Sequence, residues 1–143
     1  MSTEENKALI RHFVEEANKH NLNQADEMCA PDVVGHFPGL PPVQGLDTFK
    51  QLVSGMLTAF PDLHVTVEDL IAEGDKVVFR QTWRGTHQGA FQGIRPTGKQ
   101  VTFTGIAICR IVGGKIAEEW AVHDDLGLMQ RLGAIPQMAR TGT

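Results

Sequence analysis

The sequence predicts an α+β domain, in which helices pack on one face of a curved antiparallel sheet. Three observations favour this class: apolar residues recur at helical spacing in the first part of the chain, residues 64–124 alternate with period two, and turn-forming sequences interrupt that alternation. Helices followed by antiparallel strands are typical of α+β domains. A strongly bent sheet closed by helices forms a cone, and its open end is a natural apolar pocket.

The first helix is predicted over residues 3–20, because Ser2 and Glu5 have the spacing of a capping box. Apolar residues at helical spacing give this helix one apolar face: Ala8, Leu9, Phe13, Val14 and Ala17. A short second helix is predicted around residues 23–29, stopped by Pro31.

A third helix is predicted over LDTFKQLVSGMLTAF, residues 46–60, and it ends at Pro61. The stretch before it, HFPGLPPVQG (36–45), is predicted to be a loop because prolines and glycines dominate it.

Two β-hairpins are predicted in the second half of the chain. The first spans residues 64–87 and turns at EGDK, and the second spans 100–124 and turns at VGGK. The stretch between them, QGAFQGIRPTGK (88–99), is predicted to be a loop or a broken edge strand. A short helix over LGLMQRLG, residues 126–133, follows the second hairpin.

The length and composition indicate one globular domain over residues 1–135 and a flexible C-terminal tail over 136–143. The net charge of −4 argues against binding to nucleic acid or to a membrane surface. The first residues lack the pattern of a signal peptide, and Cys29 and Cys109 are isolated. We therefore expect reduced thiols and a cytoplasmic protein.

The stretch EEWAVHDDLG, residues 118–127, contains the strongest candidate for chemistry. If this strand stays regular, Asp124 shares a face with Trp120 and Val122, and this more apolar set is expected to point inward. Asp125 directly precedes the last predicted helix and is expected to cap it. Asp124 is then a desolvated carboxyl with a raised pKa, as a general acid or base requires. The alternative is that Asp124 is itself the cap, or pairs with an arginine on a neighbouring strand.

Two histidines lie at predicted rims, where binding residues collect: His36 opens the proline-rich loop and His87 precedes the glycine-rich one. With Asp124 they form a set suited to iron or zinc, but the spacings match no metal motif, so no metal is expected. Motifs for nucleotide cofactors and for a nucleophilic serine are absent from the sequence. If the protein is an enzyme, the activity that the sequence leaves open is cofactor-free acid–base chemistry on a mostly apolar small molecule.

Three stretches resemble the SnoaL-like polyketide cyclase (ester cyclase) group of the nuclear-transport-factor-two-like superfamily. They are HFPGLPPVQGLDTFKQLV, GTHQGAFQGIRPTGKQVTFTG and GGKIAEEWAVHDDLGLMQRLG. The resemblance runs from the first helix to Leu132, and W-x-x-x-D followed by LGLxQxLG is its most specific part. It implies the cystatin-like α+β barrel of that group, which is often a dimer or tetramer.

The resemblance also implies an activity: closure of a ring in a polyketide-like ester by an intramolecular aldol step, without a cofactor. Asp124 falls on the group's acid/base, and His36 and His87 fall on pocket positions that could supply a donor to the enolate oxygen. The expected ligand is a small, mostly apolar carbonyl compound. The residues expected to bind it are Trp120, Trp83, Phe37, Arg110 and Val122.

Two other functions stay open from the sequence. One is a hydrolase of the epoxide-hydrolase type, in which Asp124 activates water together with a histidine. The other is a non-catalytic module for ligand binding or dimerisation.

A homodimer or homotetramer is expected from the faces of the strand TFTGIAICRI. Its inward set is predicted to be Thr102, Thr104, Ile106 and Ile108. The opposite set is too apolar to face water, so pairing of the sheets of two copies is predicted to cover it: Val101, Phe103, Ala107 and Cys109.

Overall fold

The computed structural model describes residues 2–136, which fold into helices packed against a single six-stranded sheet. The helices are α1 (Thr3–Asn18), α2 (Ala25–Met28), α3 (Leu46–Ala59) and α4 (Asp125–Leu132), with a 3₁₀ turn at Leu22–Gln24. The strands are β1 (Cys29–His36), β2 (Val43–Gln44), β3 (His64–Glu73), β4 (Lys76–Thr86), β5 (Gln100–Val112) and β6 (Lys115–His123). The predicted α+β class is confirmed.

Helix α1 begins with the predicted capping box. The Ser2 hydroxyl accepts a hydrogen bond from the Glu5 amide at 3.1 Å, and the Glu5 carboxylate accepts one from the Ser2 amide at 3.2 Å. Two amides that a helix start leaves unpaired are thereby satisfied. Ile10 and Val14 then lie buried on the face that α1 turns towards the sheet.

The sheet has the strand order β2-β1-β6-β5-β4-β3, and all its pairs are antiparallel except β1 with β6. Both predicted hairpins are confirmed, as β3–β4 and β5–β6. Strand β1 was not predicted, because Pro31 suggested only the end of a helix. Pro31 lies where the β1–β6 register is irregular, between Cys29 and Val34, and at such a position a strand tolerates a missing amide donor.

The helices cover one face of the sheet, which we call the inner face; the opposite face is the outer face. On β5 the buried residues are Val101, Phe103, Ala107 and Cys109, which therefore point inward. Thr102, Thr104 and Ile106 are exposed on the outer face, with Ile108 beside them. The predicted assignment of the two faces of β5 was wrong, because the helices, and not a partner sheet, cover the more apolar set.

A β-bulge near the start of β6 determines which of its side chains face inward. Successive β5 residues pair with Ile116 and then Glu118, so Ala117 is an extra residue in the strand. One extra residue turns every later side chain to the other face of the sheet. Ile116 is buried, but beyond the bulge the inward residues are Glu119, Ala121 and His123. The prediction that Trp120, Val122 and Asp124 point inward was wrong, because it rested on the apolar character of Trp120 and Val122, which lie on the outer face instead.

The loop before β5 and the helix after β6 form where the sequence predicts them. Residues 88–99 form a loop with one isolated bridge, and α4 ends at Gly133, whose φ of 81° is left-handed. Every helix within residues 2–136 is too short or too polar to cross a membrane. Residues 137–143 of the predicted tail lie outside the described part of the chain.

Candidate functional site

The inner face carries two polar positions separated by small side chains. In one row across the sheet, Gly105 pairs with Gln81 on β4 and with His123 on β6. Two rows further along the same face of β5, Cys109 pairs with Glu119. The row between them contains the small side chains of Ala107 and Ala121 beside Phe79, and all three are buried in the core.

Glu119 is the one carboxyl on the inner face among the strands described. It has no cation within ion-pairing distance in residues 2–136, and its contact there is the Cys109 thiol, with Sγ 3.9 Å from Oε2. Burial raises the pKa of Glu119 from 4.5 to about 7, because the low-polarity surroundings disfavour the charged form. A carboxyl of this kind takes up and releases protons near neutral pH.

An aromatic cluster forms the other end of the inner face. The ring of Trp83 stacks on Phe103 with centroids 5.8 Å apart, and it meets the ring of His123 edge-on at 5.0 Å. The indole nitrogen of Trp83 donates a hydrogen bond of 2.6 Å to the side-chain oxygen of Gln81. Burial lowers the pKa of His123, so its ring is neutral at physiological pH.

Asp124 lies outside this region and caps helix α4. Its Oδ1 accepts a hydrogen bond from the Gly127 amide at 2.9 Å, and its Oδ2 lies 3.6 Å from a guanidinium nitrogen of Arg131. The prediction that Asp125 is the cap was wrong, since Asp125 is the first residue of the helix itself. The acid/base role expected for Asp124 stays a prediction.

Four of the predicted site residues instead meet in a cleft of about 220 Å³ on the outer face: His36, Phe37, Trp120 and Val122. The ring of His36 stacks on Trp120 with centroids 5.4 Å apart. Its Nε2 lies 2.7 Å from Glu118, whose other oxygen contacts Arg110 at 3.2 Å. The hydrogen bond from His36, with a smaller contribution from Arg110, lowers the pKa of Glu118. Glu118 was not predicted, yet it connects two residues that were.

His87 is fully buried and holds the loop that follows it. Its Nδ1 accepts a hydrogen bond from the Thr97 amide at 3.2 Å, and its ring packs on Phe60 at a centroid distance of 5.5 Å. Trp83 lies on the inner face, as described above. The residues predicted to form one site are therefore divided among the inner face, the outer cleft and the start of α4.

The inner-face residues that the sequence did not reveal are Glu119, Gln81 and His123. Because the sequence predicts Trp120, Val122 and Asp124 to point inward, it places His123 on the opposite face. The strong alternation of β5, which pairs with β6, could have indicated which side chains of β6 point inward. The bulge at Ala117 shifts that pairing, however, and has no sequence signature of its own.

The two cysteines have the properties of structural thiols. Burial raises the pKa of Cys29 to about 12 and that of Cys109 well above its ordinary value. Both remain protonated at neutral pH and are poor nucleophiles. Within residues 2–136 no group of three or more histidine, cysteine or acidic side chains is arranged to hold a metal ion.

Comparison with known proteins agrees with the fold. AclR, a putative hydroxylase from Streptomyces galilaeus, has 36% identity and a TM-score of 0.87, with 97% of this chain and 87% of AclR covered. IdmH, a putative polyketide cyclase from Streptomyces antibioticus, has 31% identity and a TM-score of 0.80, with 90% and 98% covered. TsrD from Streptomyces laurentii has 28% identity and a TM-score of 0.85, with 94% and 99% covered.

A search of curated proteins finds no significant match. The model of the family described as SnoaL-like polyketide cyclase matches residues 8–132, which is most of the chain. The predicted family is thereby confirmed, and the chain belongs to the SnoaL-like polyketide cyclase family.

Proposed function

We propose that the protein is a cofactor-independent acid–base enzyme of the cyclase type, acting on a small apolar carbonyl compound at the inner face. The observation that carries this proposal is Glu119, a carboxyl without a cationic partner in the described chain, set among apolar and small residues. Membership of a cyclase family, and the likeness to IdmH, support the same reaction class.

In the proposed reaction, the Glu119 carboxylate removes a proton from the carbon next to a carbonyl group. The resulting enolate attacks a second carbonyl carbon of the same molecule, so that one carbon–carbon bond forms and the ring closes. The second carbonyl becomes an alkoxide, which takes the proton back from Glu119. The proton count balances, and no oxidant or reductant is consumed.

The pKa of Glu119 suits both halves of this cycle. With a value of about 7, the carboxylate is present at neutral pH to take a proton, and the protonated form is acidic enough to return it. The surrounding apolar residues also shield the enolate from water.

Asp124 is the competing candidate for the acid/base. Its side chain is committed to the Gly127 amide and to Arg131, and it is 45% exposed. A carboxylate that caps a helix and contacts an arginine at the surface is not positioned to take a proton from a substrate at the inner face. We therefore assign the proton transfer to Glu119.

The test is exchange of the acidic protons of 2-tetralone, an apolar bicyclic ketone, for deuterium in D₂O, followed by proton NMR. We expect the wild-type protein to catalyse the exchange, and Glu119→Gln to reduce the rate by roughly 100-fold or more, the usual contribution of a general base. Asp124→Asn is the matched control: asparagine is an equally good helix cap, so exchange should continue at close to the wild-type rate.

If Asp124→Asn abolishes exchange and Glu119→Gln does not, the assignment to Glu119 fails and Asp124 is the base. If the wild-type protein catalyses no exchange, enolisation of such ketones is excluded as its activity.

A further inference from the structure

The side-chain amide of Gln81 is held in one orientation. Gln81 is 4% exposed, and its oxygen accepts the hydrogen bond from Trp83 Nε1, a group that can only donate. The oxygen must therefore face Trp83, and the NH₂ group must face away from it. That NH₂ group has no hydrogen-bond acceptor within residues 2–136, so a donor is left for another molecule.

His123 presents a second group in the same row of the sheet. Its ring is held by edge-on contacts with Trp83 at 5.0 Å and with Phe103 at 6.3 Å, and neither ring nitrogen has a hydrogen-bond partner among residues 2–136. A neutral imidazole always has one N–H donor. Its orientation is fixed by packing alone, which leaves both ring nitrogens available.

Gly105 allows these two side chains to face each other. It lies between Gln81 and His123 in the same row of the sheet, and a Cβ atom built there would come within 2.5 Å of the His123 ring. Any residue other than glycine would displace the imidazole. The floor between the two donors is consequently bare backbone, with aromatic rings along one side.

We infer that Gln81 and His123 form an oxygen subsite, which binds a carbonyl or phenolic oxygen of a flat apolar ligand stacked near Trp83 and Phe103. Two donors with no acceptor of their own suit an acceptor oxygen, and the aromatic walls suit a planar ring.

The oxygen subsite also specifies the kind of substrate. Glu119 and His123 are four residues apart on β6, which corresponds to roughly 13 Å between their Cα atoms at about 3.3 Å per residue. One oxygen held at His123 is therefore distinct from the carbonyl activated beside Glu119. Resting on the proposed function, this predicts an elongated substrate with oxygen functions at both ends.

The subsite can be tested by binding alone, with 2-naphthol and 2-methylnaphthalene as probes of matched shape and equilibrium dialysis as the measurement. We expect the wild-type protein to bind 2-naphthol about tenfold or more tightly than 2-methylnaphthalene, since the latter leaves both donors without an acceptor. His123→Phe keeps the aromatic packing and removes the imidazole. Gln81→Glu keeps an acceptor for Trp83 and removes the NH₂ donor.

Each of these variants should reduce the affinity ratio to about twofold or less, while the affinity for 2-methylnaphthalene stays at the wild-type value. His64→Phe, the same change at an exposed histidine, should leave the ratio unchanged. Equal affinities for both probes, no binding of 2-naphthol, or a ratio that survives both variants would overturn the oxygen subsite.

Glu119→Gln separates this inference from the proposed function. The variant should lose proton exchange on 2-tetralone and still discriminate between the two naphthalenes. If the wild-type protein shows the discrimination and no exchange, the subsite stands and the acid–base proposal falls. If it shows exchange and no discrimination, the reverse holds.

Discussion

Glu119 should make the stability of the protein depend on pH in an unusual direction. Its pKa is about 7 in the folded chain and 4.5 ordinarily, so between these values the native state holds the proton more tightly than the unfolded state. The stability that this carboxyl contributes is fully present below pH 4.5 and is lost as the pH rises towards 7. Above that, ionised Glu119 lowers the free energy of unfolding by about 3 kcal/mol.

Urea unfolding of the wild type and Glu119→Gln at pH 4.5 and pH 8 checks this expectation. The variant should gain stability relative to the wild type by about 3 kcal/mol between the two pH values. Glu118→Gln is the control on the adjacent residue. Because the hydrogen bond from His36 lowers the pKa of Glu118, its contribution has the opposite sign and is lost as the pH falls. Parallel profiles for all three proteins would contradict the partly buried, unpaired state of Glu119.

At the scale of elements, the loop over 88–99 is attached to the end of α3 by a close approach that only glycine permits. The amides of Gln88 and Gly89 both donate to the Ala59 carbonyl, at 3.0 and 3.1 Å. A Cβ atom at Gly89 would overlap the carbonyl oxygen of Thr58. The loop is thus part of the C-terminal cap of the helix.

We expect Gly89→Ala to lower the free energy of unfolding by about 1–3 kcal/mol, the usual range for steric overpacking. Gly55→Ala is the control within α3, where a Cβ meets nothing within 4 Å. Because alanine favours helix over glycine, Gly55→Ala should raise stability by about 0.5–1 kcal/mol. Urea unfolding measures the change in the free energy of unfolding for each variant. If both variants change it in the same direction and by the same amount, the loop does not require the close approach.

The sequence predicted most elements, because each has a local signal: capping residues for α1, alternation for the hairpins, and Pro61 after α3. Strand β1 lacks such a signal, since Pro31 lies inside it and its partner is distant in the chain. The bulge at Ala117 likewise has no local sequence signal, and it determines which side chains of β6 reach the inner face. The sequence therefore predicted the family and fold, while the apolar character of Trp120 and Val122 directed attention to Asp124 and away from Glu119.

At the scale of the whole molecule, the outer face retains an apolar patch without a cover among the described residues. Ile106 and Val122 are neighbours on β5 and β6 and are 51% and 61% exposed, and Ile108 lies beside Trp120 in the next row. Contiguous exposed apolar residues on a sheet are typical of subunit interfaces. We propose that a second copy of the chain covers this patch, in place of the set of β5 residues first expected.

Val122→Glu should convert the proposed homodimer into a monomer, because it buries a charge without a partner in the interface. Leu126→Glu, at a residue of α4 that is 57% exposed, should leave the dimer intact. Sedimentation at micromolar concentration distinguishes the two states. A wild-type monomer, or dimers of both variants, would contradict this interface.

The parallel pairing of β1 with β6 determines when the sheet is completed during synthesis. Until β6 has left the ribosome, β1 can pair only with the two-residue strand β2, and β5 has one unpaired edge. A nascent chain therefore presents two open strand edges and an incomplete core, and contacts so distant in sequence form slowly. Folding of this domain is consequently completed only after β6 has been synthesised, and the open strand edges are most exposed to mispairing just before β6 arrives.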